Sequence, residues 1–334
     1  MRDPVTGFIY PKRWEERVRD PHDLIPVAEG FAVLTASGTI LRRGFTTGTT
    51  AAAACKAAIL SLSGEVSRVS ITLPCGIVAE VPATGRSGHA SSMKYAGDYP
   101  GDVTAGLEFV AEAKVADGGI SLIPGEGIGH FIRDTPRYRK KDPAISEAPL
   151  ACILGSMEEA LDLTGLPGVL VCLSVPAGES VAKKTLNSKV GIVGGISILG
   201  STGLVEPWDD HLEESVLARV AGADNVVITT GRVGLRYARM LFPDREIILA
   251  GGKIREALSV AHGDVTLCGL PALILKYIEP HILDHTGCNT VEELASRPEF
   301  LPVVRPVLDR YTLGHPEIRI VILDRNGKVV VESS

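Results

Sequence analysis

Residues 225–241 read NVVITTGRVGLRYARML. Asn225 to Thr229 is a short β-branched run that suits a buried strand, and Leu235 to Leu241 has the composition of a helix. Between them Thr229-Thr230-Gly231-Arg232-Val233-Gly234 leaves the strand and opens the helix. The same alternation recurs downstream. Glu246 to Leu249, Asp264 to Cys268 and Ile318 to Leu323 are strand-like, while Arg255 to Val260 and Pro271 to Tyr277 are helix-like. Short apolar strands alternating with helices predict a Rossmann-like parallel sheet. Ligands of such sheets bind outside the carboxyl ends of the strands. The Thr229–Gly234 turn and Cys268-Gly269 are therefore candidate ligand positions, although tight turns also need glycine for purely structural reasons.

Upstream the character differs. LRRGFTTGTTAAAACKAAILSLSG, from Leu41, sets a Thr/Gly cluster before an alanine-rich run of high helix propensity. Thr47 or Thr49 is the expected cap, and Ser63-Gly64 the expected end. Arg68 to Leu73 and Ile77 to Pro82 predict strands around a Pro74-Cys75-Gly76 turn. Ser91 to Gly97 and Phe109 to Val115 have strand or mixed character, Ile120 to Pro124 leads into the Gly-rich GEGIGHF, Leu150 to Leu163 has a helical pattern, and Gly168 to Val175 that of a buried strand. The expected class is α/β: an arm over residues 1–40 with a short helix near Trp14 to Arg19, an α+β domain over 41–205, and a Rossmann-like domain over 206–334. The arm is a candidate for packing on a second subunit of a homodimer.

Composition narrows the function. Lys+Arg number 34 against 40 Asp+Glu, a net charge of −6, which argues against nucleic acid as partner. No apolar run reaches the roughly 18 residues of a membrane span. The N-terminus lacks an apolar signal-peptide core, so a cytoplasmic protein is expected. Cys55, Cys75, Cys152, Cys172, Cys268 and Cys288 form no close pairs, and are expected to be reduced core residues with no structural zinc.

Several clusters have the residue types for chemistry. Thr46-Thr47-Gly48-Thr49-Thr50 offers hydroxyls and free N–H groups to a carboxylate or phosphate, though an ordinary capped helix is the plainer reading. VGIVGGISILGSTGLVEP, Val190 to Pro207, has glycines that permit close backbone approach to a ligand or serve a crossover between domains. Asp98 and Asp102 suit turns or caps as well as acid–base work. His281, His285 and Cys288 have ligand spacing only on a continuous helix, which Gly287 disfavours. A metal-dependent or phosphate-handling enzyme built on the Thr-Gly loop and these three residues is the reading from another class.

Five segments together resemble the CbiD family, the cobalt-precorrin-5B C(1)-methyltransferases of anaerobic cobalamin biosynthesis. They are LRRGFTTGTTAAAA (41–54), KYAGDYPGDVT (94–104), GEGIG (125–129), PAISEAP (143–149) and the long string from Ser174 to Pro207, SVPAGESVAKKTLNSKVGIVGGISILGSTGLVEP. The chain departs from the family pattern at Arg133-Asp134-Thr135-Pro136, at Cys268-Gly269-Leu270-Pro271-Ala272 (a G-H-x-G-K site in the family) and at His285 to Thr290.

The resemblance implies a two-domain α/β enzyme that methylates cobalt-precorrin-5B at ring carbon 1, giving cobalt-precorrin-6A, with S-adenosyl-L-methionine as donor and cobalt only as part of the tetrapyrrole substrate. A divergent relative that binds or methylates a different tetrapyrrole is the second reading. Under the resemblance, Gly194, Gly195, Ser197, Gly200, Thr202, Gly203, Glu206, Thr230, Gly231 and Gly234 are expected to hold the cofactor. Arg42, Arg43, Thr46, Thr47, Thr49, Lys94 and Lys183 are expected to meet the carboxylates of the acceptor. Asp98, Asp102 and Glu126 are candidate catalytic bases.

Overall fold

A computed structural model describes residues 1–99, 101–135, 137–207 and 216–333. Pro100 of the KYAGDYPGDVT segment and Pro136 of the basic loop lie outside the described residues. The chain divides into two compact units, one of residues 29–33 and 41–209, the other of residues 1–28, 34–40 and 210–334.

The first of these units is built on a helix, α1 (Thr47–Leu60), that is buried on every side from Thr47 to Ile59. Ala51 to Ala54, Ala57 and Ala58 are fully buried, so neighbours approach its backbone closely. A six-stranded sheet of β1 (Val66–Thr72), β2 (Val78–Arg86), β3 (His89–Met93), β4 (Glu108–Val115), β5 (Gly119–Pro124) and β6 (Gly168–Ser174) lies against it in the order β1-β2-β3-β4-β6-β5. All neighbours are antiparallel except β5 and β6, which run parallel. Burial alternates along β2, with Ala79, Val81, Ala83 and Gly85 inward. Small inward residues match the alanine helix: a Cβ on Gly85 would lie 2.9 Å from Ala57 O. A second helix, α2 (Glu147–Thr164), packs on α1. Across these elements the buried Lys56 ammonium bonds Ser70 O at 2.8 Å and Glu159 at 2.5 Å.

The other unit holds a five-stranded sheet. Its strands are β7 (Asn225–Thr229), β8 (Glu246–Leu249), β9 (Asp264–Gly269), β10 (Ile318–Leu323) and β11 (Val329–Glu332), ordered β8-β7-β9-β10-β11. The first four are parallel and β11 is antiparallel. Val226, Ile228, Leu267 and Ile320 share one core with residues of α4 (Ile254–Val260), α5 (Pro271–Ile278) and α6 (Phe300–Gly314). Helix α3 (Arg232–Leu241) packs on the sheet but contributes nothing to that core, so helices cover both faces. The expected Rossmann-like architecture is present.

Three expectations are corrected in detail. The cap of α1 is Thr46, whose hydroxyl accepts from Thr49 N at 3.2 Å, and the helix ends at Ser61 rather than Ser63-Gly64. The strand expected over Ser91 to Gly97 stops at Met93, because Gly97, at φ +64°, turns the chain to bridge Arg43. The early helix is Lys12–Glu15 instead of Trp14 to Arg19. Within residues 1–28 the chain packs on its own unit: Phe8, Tyr10 and Trp14 are buried, and the Phe8 ring lies 5.2 Å from that of Tyr237. No helix among the described residues is long and apolar enough to cross a membrane.

Ala53→Leu adds volume to α1 where no free space exists. Urea denaturation is expected to show a loss of roughly 2–3 kcal/mol or a failure to fold, as for overpacked cores. Wild-type stability would contradict the enclosed helix.

Candidate functional site

The residue motifs of the first unit converge on the buried start of α1. A helix start leaves N–H groups without partners, and buried ones must be satisfied by protein. Here Thr46 caps Thr49 N, while Gly48 N donates to Leu199 O at 3.0 Å. Thr49 Oγ1 donates to Gly203 O at 2.7 Å, and Thr47 Oγ1 accepts from Leu199 N at 2.8 Å. The hydroxyls of Thr47 and Thr49 are thus buried stitches between the helix and the glycine-rich segment, while that of Thr46 caps the helix.

The glycines of that segment answer to the same packing. A Cβ on Gly200, at φ +134°, would lie 2.3 Å from Thr46 Oγ1, and one on Gly195 2.1 Å from Gly127 O. Gly195 O accepts from Asn187 Nδ2 at 3.2 Å, and Ser197 Oγ donates to Asn187 Oδ1 at 2.8 Å. Thr202 bonds the Leu204 backbone, and Gly203 (φ +84°) faces Leu73 and Pro74. Gly194, at φ +78°, lies beside the His130 ring.

Charged groups sit around this knot. The Arg43 side chain is fully buried. Its Nη1 donates to Gly30 O at 3.0 Å and Ala32 O at 3.3 Å, and its Nε to Glu206 at 3.3 Å. Lys94 and Asp102 form a buried ion pair, and Asp102 also accepts from Thr104 N at 2.9 Å. Burial raises the Asp102 carboxyl, but the Lys94 charge with the bonds from Lys94 and Thr104 outweighs it and holds the pKa below the usual value. Burial lowers the Lys94 ammonium, against the pull of Asp102. The exposed Asp98 accepts from Arg42 N at 2.7 Å. Arg42, Lys183 and Glu126 are exposed, and the Glu126 carboxylate has no partner among the described residues.

Thr230, Gly231 and Gly234 belong to the other unit, at the point where the strand order of its sheet changes side. From β7 the chain leaves through α3 toward β8 on one side, while β9 lies on the other. In register, Thr229 of β7 faces Cys268 of β9. Thr229 is wholly buried and Thr230 is 6% exposed, yet neither hydroxyl has a hydrogen-bond partner among the described residues. Such buried groups are uncommon and call for an explanation. Gly231, at φ +121°, has open space where a side chain would be. Burial pushes the Cys268 thiol up to about 12, so it is no nucleophile near neutrality.

Thr229 and Gly269 stand in the sequence as two separate candidate ligand turns, and their adjacency exists only once β7 and β9 pair. Asn187 carries no sequence signal. His281 and His285 lie in turns and Cys288 in the irregular chain just after them, with His281 paired to Asp284 at 3.3 Å. Among the described residues no group of three or more His, Cys, Asp or Glu side chains is placed to hold a metal.

Comparison with known proteins agrees with the motif reading. The CbiD family model matches residues 34–207. A protein of Methanoregula boonei named cobalt-precorrin-5B C(1)-methyltransferase is 68% identical over 333 residues, covering 100% of both chains. One of the same name from Methanoculleus marisnigri is 55% identical, covering 99% of each. The crystal structure of the cobalamin biosynthesis protein CbiD from Archaeoglobus fulgidus is 38% identical with a TM-score of 0.57, covering 83% of this chain and 92% of that one.

Lys94→Met leaves Asp102 buried without its partner, and the expected loss is about 3–5 kcal/mol by urea denaturation at pH 7. The depressed Asp102 pKa stabilises the fold above the unfolded value of about 3.9 and is lost as pH falls through the folded value. The variant should therefore lose that part of the acid slope. An unchanged slope would contradict the pairing.

Proposed function

This chain belongs to the CbiD family, and from that premise we propose how its residues serve the reaction. It is a methyltransferase acting on cobalt-precorrin-5B at ring carbon 1, a step of cobalamin biosynthesis. Full-length identity of 68% to a protein of that name carries the assignment. The methyl donor is S-adenosylmethionine. When bound it supplies an electrophilic methyl carbon, and its sulfonium becomes a neutral thioether as that carbon leaves.

Thr230, Gly231 and Gly234 hold the donor at the carboxyl ends of β7 and β9. The orphaned hydroxyls and the open space at Gly231 support this placement. Arg42 and Lys183, both exposed cations, meet the peripheral carboxylates of the tetrapyrrole. Arg43 holds the Glu206 carboxylate in place through its Nε. Thr46, Thr47, Thr49 and Lys94, with the glycines between Gly194 and Gly203, Ser197 and Thr202, keep these groups in place.

Methylation of a conjugated macrocycle leaves it one proton in excess. Glu126, unpartnered and exposed, takes that proton. Asp98 is engaged by the Arg42 backbone, and Asp102, held ionised by Lys94, is a weaker base.

Incubation with methyl-labelled S-adenosylmethionine and cobalt-precorrin-5B should give a singly labelled tetrapyrrole. Glu126→Gln is expected to lower kcat about 100-fold with KM little changed. A variant as fast as wild type would remove Glu126 from the mechanism, and an unlabelled product would remove the donor assignment.

A further inference from the structure

Glycines border the Thr229 and Thr230 hydroxyls at the carboxyl ends of β7 and β9. A Cβ on Gly269 would lie 2.9 Å from Thr230 Oγ1 and 3.5 Å from Thr229 Oγ1. One on Gly234 would lie 2.5 Å from Thr229 Oγ1 and 3.1 Å from Gly269 Cα. Both hydroxyls therefore face backbone that is kept bare, and both are buried without a partner. Gly231 is the N-cap of α3 and supplies no side-chain acceptor to the first turn of that ten-residue helix. Its N–H groups and the positive end of the helix dipole open at the same strand end.

These groups have one chemistry in common: every one can donate a hydrogen bond. Leaving two buried hydroxyls without a protein partner costs free energy that a ligand acceptor would recover. An acceptor with two oxygens and a negative charge satisfies both hydroxyls and the helix terminus together. Arg232, on the first turn of α3, is exposed and leaves the hydroxyls and N–H groups as the buried donors here.

We infer that Thr229 and Thr230, with the start of α3, form a carboxylate-binding subsite framed by Gly234 and Gly269. The inference rests on the proposed function, which offers two carboxylate sources: the amino-acid end of the sulfonium donor and the peripheral acid arms of the tetrapyrrole. No bond is made or broken at this subsite; it anchors the ligand.

The test uses the full-length chain with Thr229→Val and Thr230→Val combined. Valine keeps the shape and removes the unpartnered hydroxyls, so the melting temperature should hold or rise. Isothermal titration with S-adenosylmethionine, its decarboxylated form and cobalt-precorrin-5B reads the subsite. If the donor supplies the carboxylate, affinity for S-adenosylmethionine falls about tenfold or more, while the decarboxylated form binds variant and wild type alike. If the acceptor supplies it, only affinity for the tetrapyrrole falls. Thr230→Ser, which keeps the hydroxyl, should bind as wild type. Unchanged affinity for every ligand, or a melting temperature several degrees lower, overturns the subsite. Labelled methyl transfer by the wild type tests the underlying function separately. A wild type that binds neither ligand overturns both.

Discussion

A helix that begins inside a protein must find partners for its first N–H groups without water, and α1 begins that way. Its cap, Thr46, and the carbonyls of Leu199 and Gly203 meet that need. The consequence reaches far along the chain. The segment around 199–203 must press against Thr46 and Thr49, which excludes a side chain at Gly200 and bends the backbone to φ +134° there. Gly44 obeys a related limit, since a Cβ on it would lie 2.4 Å from the Ala96 carbonyl carbon. Motifs separated by about 150 residues are thus one structural feature.

That view divides the glycines by purpose. Those at 195, 200 and 203 are bare because the protein's own atoms fill the space. Gly231 has nothing near its missing Cβ, and Gly269 borders two hydroxyls that no described protein group satisfies. A glycine-rich string alone cannot separate these cases. The buried partners of each position do.

Much of the architecture was legible in the sequence because period and propensity agreed. NVVIT, EIIL and IRIVIL are continuous apolar strands flanked by polar or turn residues, and they appear at the expected residues. Helix α6 was not legible, since Pro302 and Pro306 break its pattern, although Phe300, Val304 and Leu308 are buried at a spacing of one helical turn. Strand β11 was missed because it is short, yet Asn326-Gly327 signals the hairpin that precedes it. Of the site, the Thr-Gly and glycine-rich segments stood out as motifs. Their union depends on carbonyls such as Leu199 O, which no residue type announces. Thr229 and Gly269 become neighbours only through the pairing of β7 with β9.

The chemistry assigned to this family needs a donor held still beside a polyacidic acceptor, more than it needs a strong catalytic group. Two buried hydroxyls without a protein partner, beside a helix start, are suited to that holding task. The most direct measurement is a crystal structure of the full chain with S-adenosylhomocysteine and the tetrapyrrole bound. The account predicts carboxylate oxygens about 2.6–3.0 Å from Thr229 Oγ1 and Thr230 Oγ1. Both ligands seated elsewhere, with these hydroxyls still unpartnered, would contradict it.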